Sequence, residues 1–415
     1  MDNNELIKYE GRLIKRVGNA ISVTNKLLAS IEPQLIPYRK KDKWGFCTSG
    51  KKIVIDCLYE EAECFQKGIA KIKLNGKFGL IDTKGKKVLP SIYEEVYSFS
   101  EGLADIKING KYGFIDEKGD VVISCSFESG SFFREGLAYI KQNDKLGFIN
   151  RKGEIVITCI YESSYSFFND GLAFVQLNNK IGFINQKGEI IIPFMYASNS
   201  WIPFFSEGLI SVTLNGKSGF INKKGDVIIP FQIDDGREFF DGLACVRMGG
   251  KWGYINTKGD FIIPCTFDGG STDFSEGVAM VEMNNKWGVI DKNGKFIVPC
   301  IFDNPKNYYD PGWGFKEGLA NIRVKSKCGF IDKNGELVIS CKYDDTTNFL
   351  NGLSSVKKNN KWGFIDKSDE LVIPCIYDYV SGFYYTKNLA TVRREGYKGK
   401  LTGFINKQGV EYWED

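Results

Sequence analysis

The sequence predicts an all-β tandem repeat array, and three observations carry that prediction. A short unit recurs at a nearly fixed period, each copy holds the alternation and turn residues of a small meander, and no segment interrupts the pattern with chemistry of its own. The unit reads aromatic-Gly-Phe-Ile-Asp/Asn. Its glycine falls at Gly45, Gly79, Gly113, Gly147, Gly182, Gly219, Gly253, Gly288, Gly329, Gly363 and Gly403. Most copies lie about 34 residues apart, so the 415 residues are read as about eleven repeats instead of two or three globular domains.

Residues 99–127 show how one copy folds. Leu103 to Ile108 alternates, placing Ala104, Ile106 and Ile108 on one face of a half-buried strand. Asn109-Gly110 is a hairpin signal because both positions tolerate positive φ. Tyr112 to Ile115 forms the returning strand, Asp116 to Gly119 a second turn, and Val121 to Ile123 a third strand. The glycine of the second strand marks a place where a Cβ would obstruct close approach of backbone or ring. One such meander cannot bury enough apolar surface to offset ordering its own backbone, so the copies must stack. The predicted architecture is therefore about eleven three-stranded antiparallel meanders, stacked over residues 31–415 as an open solenoid or superhelix. A closed propeller-like ring is the alternative, and eleven units exceed the usual four to eight blades.

Residues 4–29 carry a different period. Leu6, Leu13, Ala20 and Leu27 recur every seven residues, as do Ile7, Ile14, Ile21 and Leu28, with Val17 between. That stripe predicts an amphipathic helix over the first 30 residues, at a cost of ~1 kcal/mol for each of Gly11 and Gly18. The helix is expected to cap the first repeat, or to dock a partner or a second copy through Leu6, Leu13, Val17, Ile21 and Leu28.

Composition removes several chemistries. There is no histidine, which excludes Ser-His-Asp and Cys-His catalysis, His-ligated zinc and an imidazole switch. A net charge of +4 with both signs interspersed gives no basic stripe for nucleic acid. No apolar run is long enough to span a bilayer, and the first residues lack the layout of a secretory signal. Eleven cysteines, an odd number, fit a reduced, cytoplasmic protein.

The repeat columns read as architecture. Cysteine occupies one column at Cys57, Cys125, Cys159, Cys265, Cys300, Cys341 and Cys375, but Phe194 and Phe231 replace it elsewhere. A thiol exchangeable for phenylalanine is a packing residue. Asp82, Asp116, Asp291, Asp332 and Asp366 alternate with Asn150, Asn185, Asn222, Asn256 and Asn406, as turn caps do and catalytic carboxylates do not. The ring beside the repeat glycine varies from Trp44 to Leu146, Ser218 and Cys328, which argues against ligand stacking. Lysines at the turn tips, such as Lys84 and Lys118, are read as a solvated face. No metal, cofactor or catalytic residue is expected.

The Lys-Trp-Gly-Phe-Ile-Asp-Lys core at 361–367, the Val-Ile-Pro-Cys segments and the Ser-Glu-Gly-Leu-Ala segments together resemble the bacterial WG-repeat (KWG-repeat) family over residues 31–415. That resemblance implies variable copy number and no catalytic residues to carry over. The name-giving tryptophan is replaced at Ile181, Ser218, Cys328 and Thr402.

Insertions in a repeat array map to loops and often to its binding face. Two long ones occupy the same connection, at 197–204 with Trp201 and at 303–313 with Tyr308, Tyr309 and Trp313; a milder one holds Tyr384 and Tyr385. Aromatics of this kind anchor contacts. A further insertion, Arg393 to Lys400, lengthens a hairpin and carries four basic residues. The expected function is a non-enzymatic scaffold that offers a β-surface and aromatic loops to a protein partner. A recognition module for a small molecule, glycan or nucleic acid is the alternative.

Overall fold

The computed structural model describes residues 6–9, 12–17, 20–22, 35–162, 167–197, 204–269, 272–303, 314–383, 388–396 and 399–414. Each repeat folds as the turn chemistry dictates. In the third one the first strand, Leu103–Ile108, pairs antiparallel with the second, Lys111–Asp116, from Leu103 opposite Asp116 to Ile108 opposite Lys111. The hairpin closes on Asn109 and Gly110, both at positive φ. Asp116 Oδ1 then accepts the amides of Lys118 and Asp120, each at 2.9 Å, which fixes the next turn.

The third strand, Val121–Phe127, pairs in two short stretches, Phe114 with Ile123 and Tyr112 with Phe127. Between those pairings it carries two more residues than its partner, and the bulged chain crosses directly over Gly113. A Cβ on Gly113 would sit 2.5 Å from the Ile123 carbonyl oxygen, and one on Gly253 would sit 2.6 Å from that of Ile263. The signature glycine is the residue that lets the third strand pass.

Eleven such sheets follow one another, here numbered blades 1 to 11. Six blades carry a short leading strand beside the first strand, such as Glu95–Val96 in blade 3. In blades 1 to 10 the third strand forms the opposite edge, whereas in blade 11 the second strand does. Between consecutive blades lies one apolar cluster. Phe114, Ile123 and Phe127 of blade 3, for example, pack with Phe133, Ala138, Ile140 and Ile149 of blade 4. An edge-to-face ring pair recurs in these interfaces: Phe114 with Phe133 at 4.9 Å, Phe148 with Phe168 at 5.0 Å, Phe220 with Phe239 at 5.0 Å and Phe330 with Phe349 at 4.9 Å.

The expected open stack is overturned at the ends of this series. After blade 11 the chain places Tyr412 against the second strand of that blade, its amide donating to Phe404 O at 2.8 Å. Trp413–Glu414 then pairs parallel with Ile36–Lys40, the first strand of blade 1. Lys41 N donates to Glu414 O at 2.8 Å, and Lys40 meets the Glu414 carboxylate at 2.7 Å. An eleventh cluster, Ile36, Tyr38, Cys47, Leu389 and Tyr412, fills the seam. Eleven blades with eleven interfaces make a closed, propeller-like ring. The excess over eight blades argued for an open array, but closure depends on the rotation per repeat, which no count of units supplies.

The predicted amino-terminal helix is also corrected. Leu6–Tyr9, Arg12–Val17 and Ala20–Ser22 form a three-stranded antiparallel sheet, with Lys8 opposite Leu13 and Val17 opposite Ala20. Leu6, Leu13, Val17 and Ile21 are therefore strand residues and present no helical stripe, and Leu28 lies outside the described residues. The β-branched Ile7, Ile14, Val17 and Ile21 suit the extended chain. A docking or self-association role for a helix here has no structural basis.

One polar residue is out of keeping with the interfaces. Asp105, on the first strand of blade 3 opposite Phe114, is 5% exposed. Burial pushes its carboxyl up to about 6, opposed only by its own backbone N–H. Serine fills the corresponding position in blades 6 and 10, as Ser211 and Ser355.

Two outcomes are expected. Gly113→Ala or Gly253→Ala forces the third strand off its crossing and lowers unfolding stability by about 1–3 kcal/mol in urea titrations, with similar losses at both positions. For Asp105 the folded pKa lies above the unfolded value, so the native state binds the proton more tightly and stability falls as pH rises from about 4 to about 6. Asp105→Ser therefore gains about 1–2 kcal/mol at pH 7.5 and much less at pH 4.5, read as the shift in urea midpoint at the two pH values.

Candidate functional site

The charged residues of the repeat motifs are engaged within the ring. The lysine that opens the second strand meets an acid seventeen residues later: Lys217 with Asp234 at 2.6 Å, Lys286 with Asp303 at 2.5 Å and Lys361 with Asp378 at 2.5 Å. The same acids accept hairpin amides, as Asp234 does from Gly249 at 2.8 Å. The bond from Lys217 and that amide together hold the Asp234 carboxyl below its ordinary range. On the other face, the acid of the Glu-Gly turn accepts the amide of the next blade's turn glycine. Glu101 takes Gly136 N at 2.9 Å, Glu207 takes Gly242 N at 3.0 Å and Glu317 takes Gly352 N at 3.1 Å. Lysines of the following blade pair with some of these acids, Lys333 with Glu276 at 3.2 Å and Lys367 with Glu317 at 3.3 Å. In Lys67 and Glu117 the two signs are exchanged and the contact is kept, at 3.8 Å. Each exposed pair adds little stability, but the columns act as stitching between blades and not as reactive groups.

The cysteine column is half-buried packing. Cys57, Cys265, Cys300 and Cys375 point Sγ at a first-strand carbonyl, at 3.6–3.7 Å, and burial pushes each thiol up. Phe194 and Phe231 stand in the same column against Tyr161 and Tyr196. Asn150 and Asn222 cap their turns as Asp116 does, each accepting two amides on Oδ1. The residue beside the repeat glycine is matched to its cross-strand neighbour. Lys107 lies over Tyr112 at 5.3 Å and Arg247 over Trp252 at 5.7 Å, whereas Thr213 bonds Ser218 at 3.2 Å. The variation that weakened a ligand role for this column thus follows local packing. Among the described residues no group of three or more Cys, Asp or Glu is placed to hold a metal ion.

The aromatic loop residues singled out from the sequence, Trp201, Tyr308, Tyr309, Trp313, Tyr384 and Tyr385, lie outside the described residues. Their segments leave and rejoin the ring between the third strand of one blade and the first strand of the next.

Two surfaces that motif reading passed over remain. Along the third-strand edge, each blade from 3 to 7 opens with two exposed apolar residues: Val121 and Val122, Ile155 and Val156, Ile190 and Ile191, Val227 and Ile228, Phe261 and Ile262. Val121 is 52% exposed and Ile190 57%. Blades 1 and 9 repeat the feature with Ile53 and Val54, and with Leu337 and Val338. Two positions further on, the strand carries an exposed proline in six blades, at Pro90, Pro193, Pro230, Pro264, Pro299 and Pro374. Proline offers no N–H to an added strand, so in those six blades the edge presents side chains and lacks a backbone donor at that position, whereas Ser124 and Thr158 stand there in blades 3 and 4. Near the opposite edge, blades 4 to 6 expose Phe132, Phe167 and Phe204 in varying degree.

No curated protein matches the chain in sequence. Among solved structures, a eukaryotic initiation factor aligns over 92% of this chain and 95% of its own, at 12% identity and a TM-score of 0.44. BamB from Moraxella catarrhalis aligns over 64% and 93% respectively, at 10% identity and a TM-score of 0.31. Kluyveromyces lactis Hsv2 aligns over 75% and 97%, at 8% identity and a TM-score of 0.29. None of these reaches a similarity that bears on function. The model of the WG-containing repeat, in contrast, matches ten successive segments from residue 44 to residue 397, each joining the second and third strands of one blade to the first strand of the next. With that match running through ten repeats of the ring, the chain belongs to the family of WG-containing repeat proteins.

Proposed function

We propose that this ring is a non-enzymatic platform for protein partners in the cytoplasm, and that a partner docks on the apolar pairs of the third-strand edge. The observation that carries the reading is the continuity of those pairs through blades 3 to 7. Exposed apolar residues scattered singly need no explanation, but pairs repeated along the same edge through five consecutive blades point to an interaction surface. Covering the exposed parts of these ten side chains is worth on the order of 10 kcal/mol before the costs of association. In blades 5 to 7, Pro193, Pro230 and Pro264 favour a partner that packs against side chains over one that adds a strand. Eleven free cysteines suit a reducing compartment.

The test is affinity capture from the lysate of the source cells, with the full chain and with a variant carrying Val121→Thr, Ile155→Thr, Ile190→Thr and Val227→Thr. Threonine keeps strand propensity and removes apolar surface. Quantitative mass spectrometry is expected to show proteins held by the native ring and depleted about tenfold or more on the variant, at unchanged thermal stability. Equal recovery on both would remove this edge as the docking surface.

A further inference from the structure

Phe132, Phe167 and Phe204 each precede the phenylalanine that anchors one blade on the next. The anchors Phe133 and Phe168 are fully buried, so the core is complete without the preceding ring. Elsewhere that preceding position is polar or small, as at Ser98, Glu238, Asp273, Asn348 and Gly314. Only in three consecutive blades does it hold phenylalanine. Phe132 is 43% exposed and Phe204 45%, and the rings of Phe132 and Phe167 stand 6.2 Å apart. The Arg134 guanidinium lies 4.7 Å from the Phe167 ring centre and is tied to the Asn169 side chain, which holds this stretch in a defined arrangement.

Charge completes the surface. Three residues after Phe132, Phe167 and Phe204 come Glu135, Asp170 and Glu207; Asp170 pairs with Lys223 at 3.0 Å, whereas Glu135 and Glu207 bond only neutral donors among the described residues. Glu135 accepts Asp170 N at 2.6 Å, Gly171 N at 2.9 Å and Gln186 Nε2 at 3.2 Å, and Glu207 accepts Gly242 N at 3.0 Å. Across the ring the equivalent Glu276 and Glu317 are neutralised by Lys333 and Lys367. Phenyl rings in a sector where two of three carboxylates carry no lysine among the described residues disfavour a polyanion and favour apolar groups accompanied by cations.

We infer that blades 4 to 6 bind an extended peptide segment of a protein partner, its apolar or aromatic side chains packing on Phe132, Phe167 and Phe204 and its lysine or arginine side chains facing Glu135 and Glu207. This rests on the reading of the ring as a protein platform, but it uses the opposite edge of the blades from the apolar pairs. Displayed random peptides selected on the full chain are expected to be rich in aromatic and basic residues. In fluorescence anisotropy, a selected peptide binds the Phe132→Ser/Phe204→Ser ring about tenfold or more weakly, serine being the blade 3 residue at that position. Glu135→Gln/Glu207→Gln weakens it several-fold and flattens its salt dependence, because the amide keeps an acceptor and loses the charge. The four-threonine variant of the third-strand edge binds it as the native ring does, so failure here is separable from failure of the edge. Selection of acidic or featureless peptides, affinity indifferent to the phenylalanine changes, or tighter binding of a single-stranded oligonucleotide on the same residues would overturn the inference.

Discussion

The whole molecule depends on the fact that no blade can cover its own faces. Each sheet has apolar side chains on both sides, and each side is buried only by the next sheet. In an array with ends, two of those faces would meet water. The seam between blades 11 and 1 removes them, and the residues that form it are modest: Tyr412 buried in the cluster, Trp413 over Gly403, and two residues of parallel pairing. Everything else in the ring, including the positions of both exposed edges, follows from having that seam shut.

Within this frame a repeat needs few fixed residues. One glycine admits the crossing strand, one Asp or Asn caps a turn, and one phenylalanine reaches the next blade. The remaining columns are free to vary as long as neighbours vary with them, as Thr213 with Ser218 and Lys107 with Tyr112 do. Surface differences between blades are thus the part of the sequence that the fold leaves unassigned, and it is there that the phenylalanines of blades 4 to 6 and the apolar pairs of the third strands stand out.

What was legible in the sequence was whatever is local. The period, the Asn-Gly hairpins, the Asp/Asn caps and the obstruction at the glycine all depend on residues within one repeat. The seam joins Arg39 to Trp413, and nothing near either residue announces it. The amino-terminal stripe misled because a seven-residue recurrence of leucine and isoleucine is compatible with short strands as well as with a helix. Val121, Val122 and Ile123 are three consecutive apolar residues of one strand, yet of the three only Ile123 is buried. The motif lysines and acids gave no hint of pairing, since their partners lie seventeen residues away in one column and in the neighbouring blade in the other.

The prolines of the third strands bear on the ring's history as well as on its surface. The segment that closes the circle is made after all eleven blades, so during synthesis a growing row of finished sheets waits with its seam open. Every one of those sheets has a free edge, and nearly identical edges repeated in one chain are the arrangement from which cross-β stacking between molecules begins. In six of them a proline removes a donor from the edge, which makes it a poorer template for another strand. The same residues that shape the finished rim thereby guard the unfinished one.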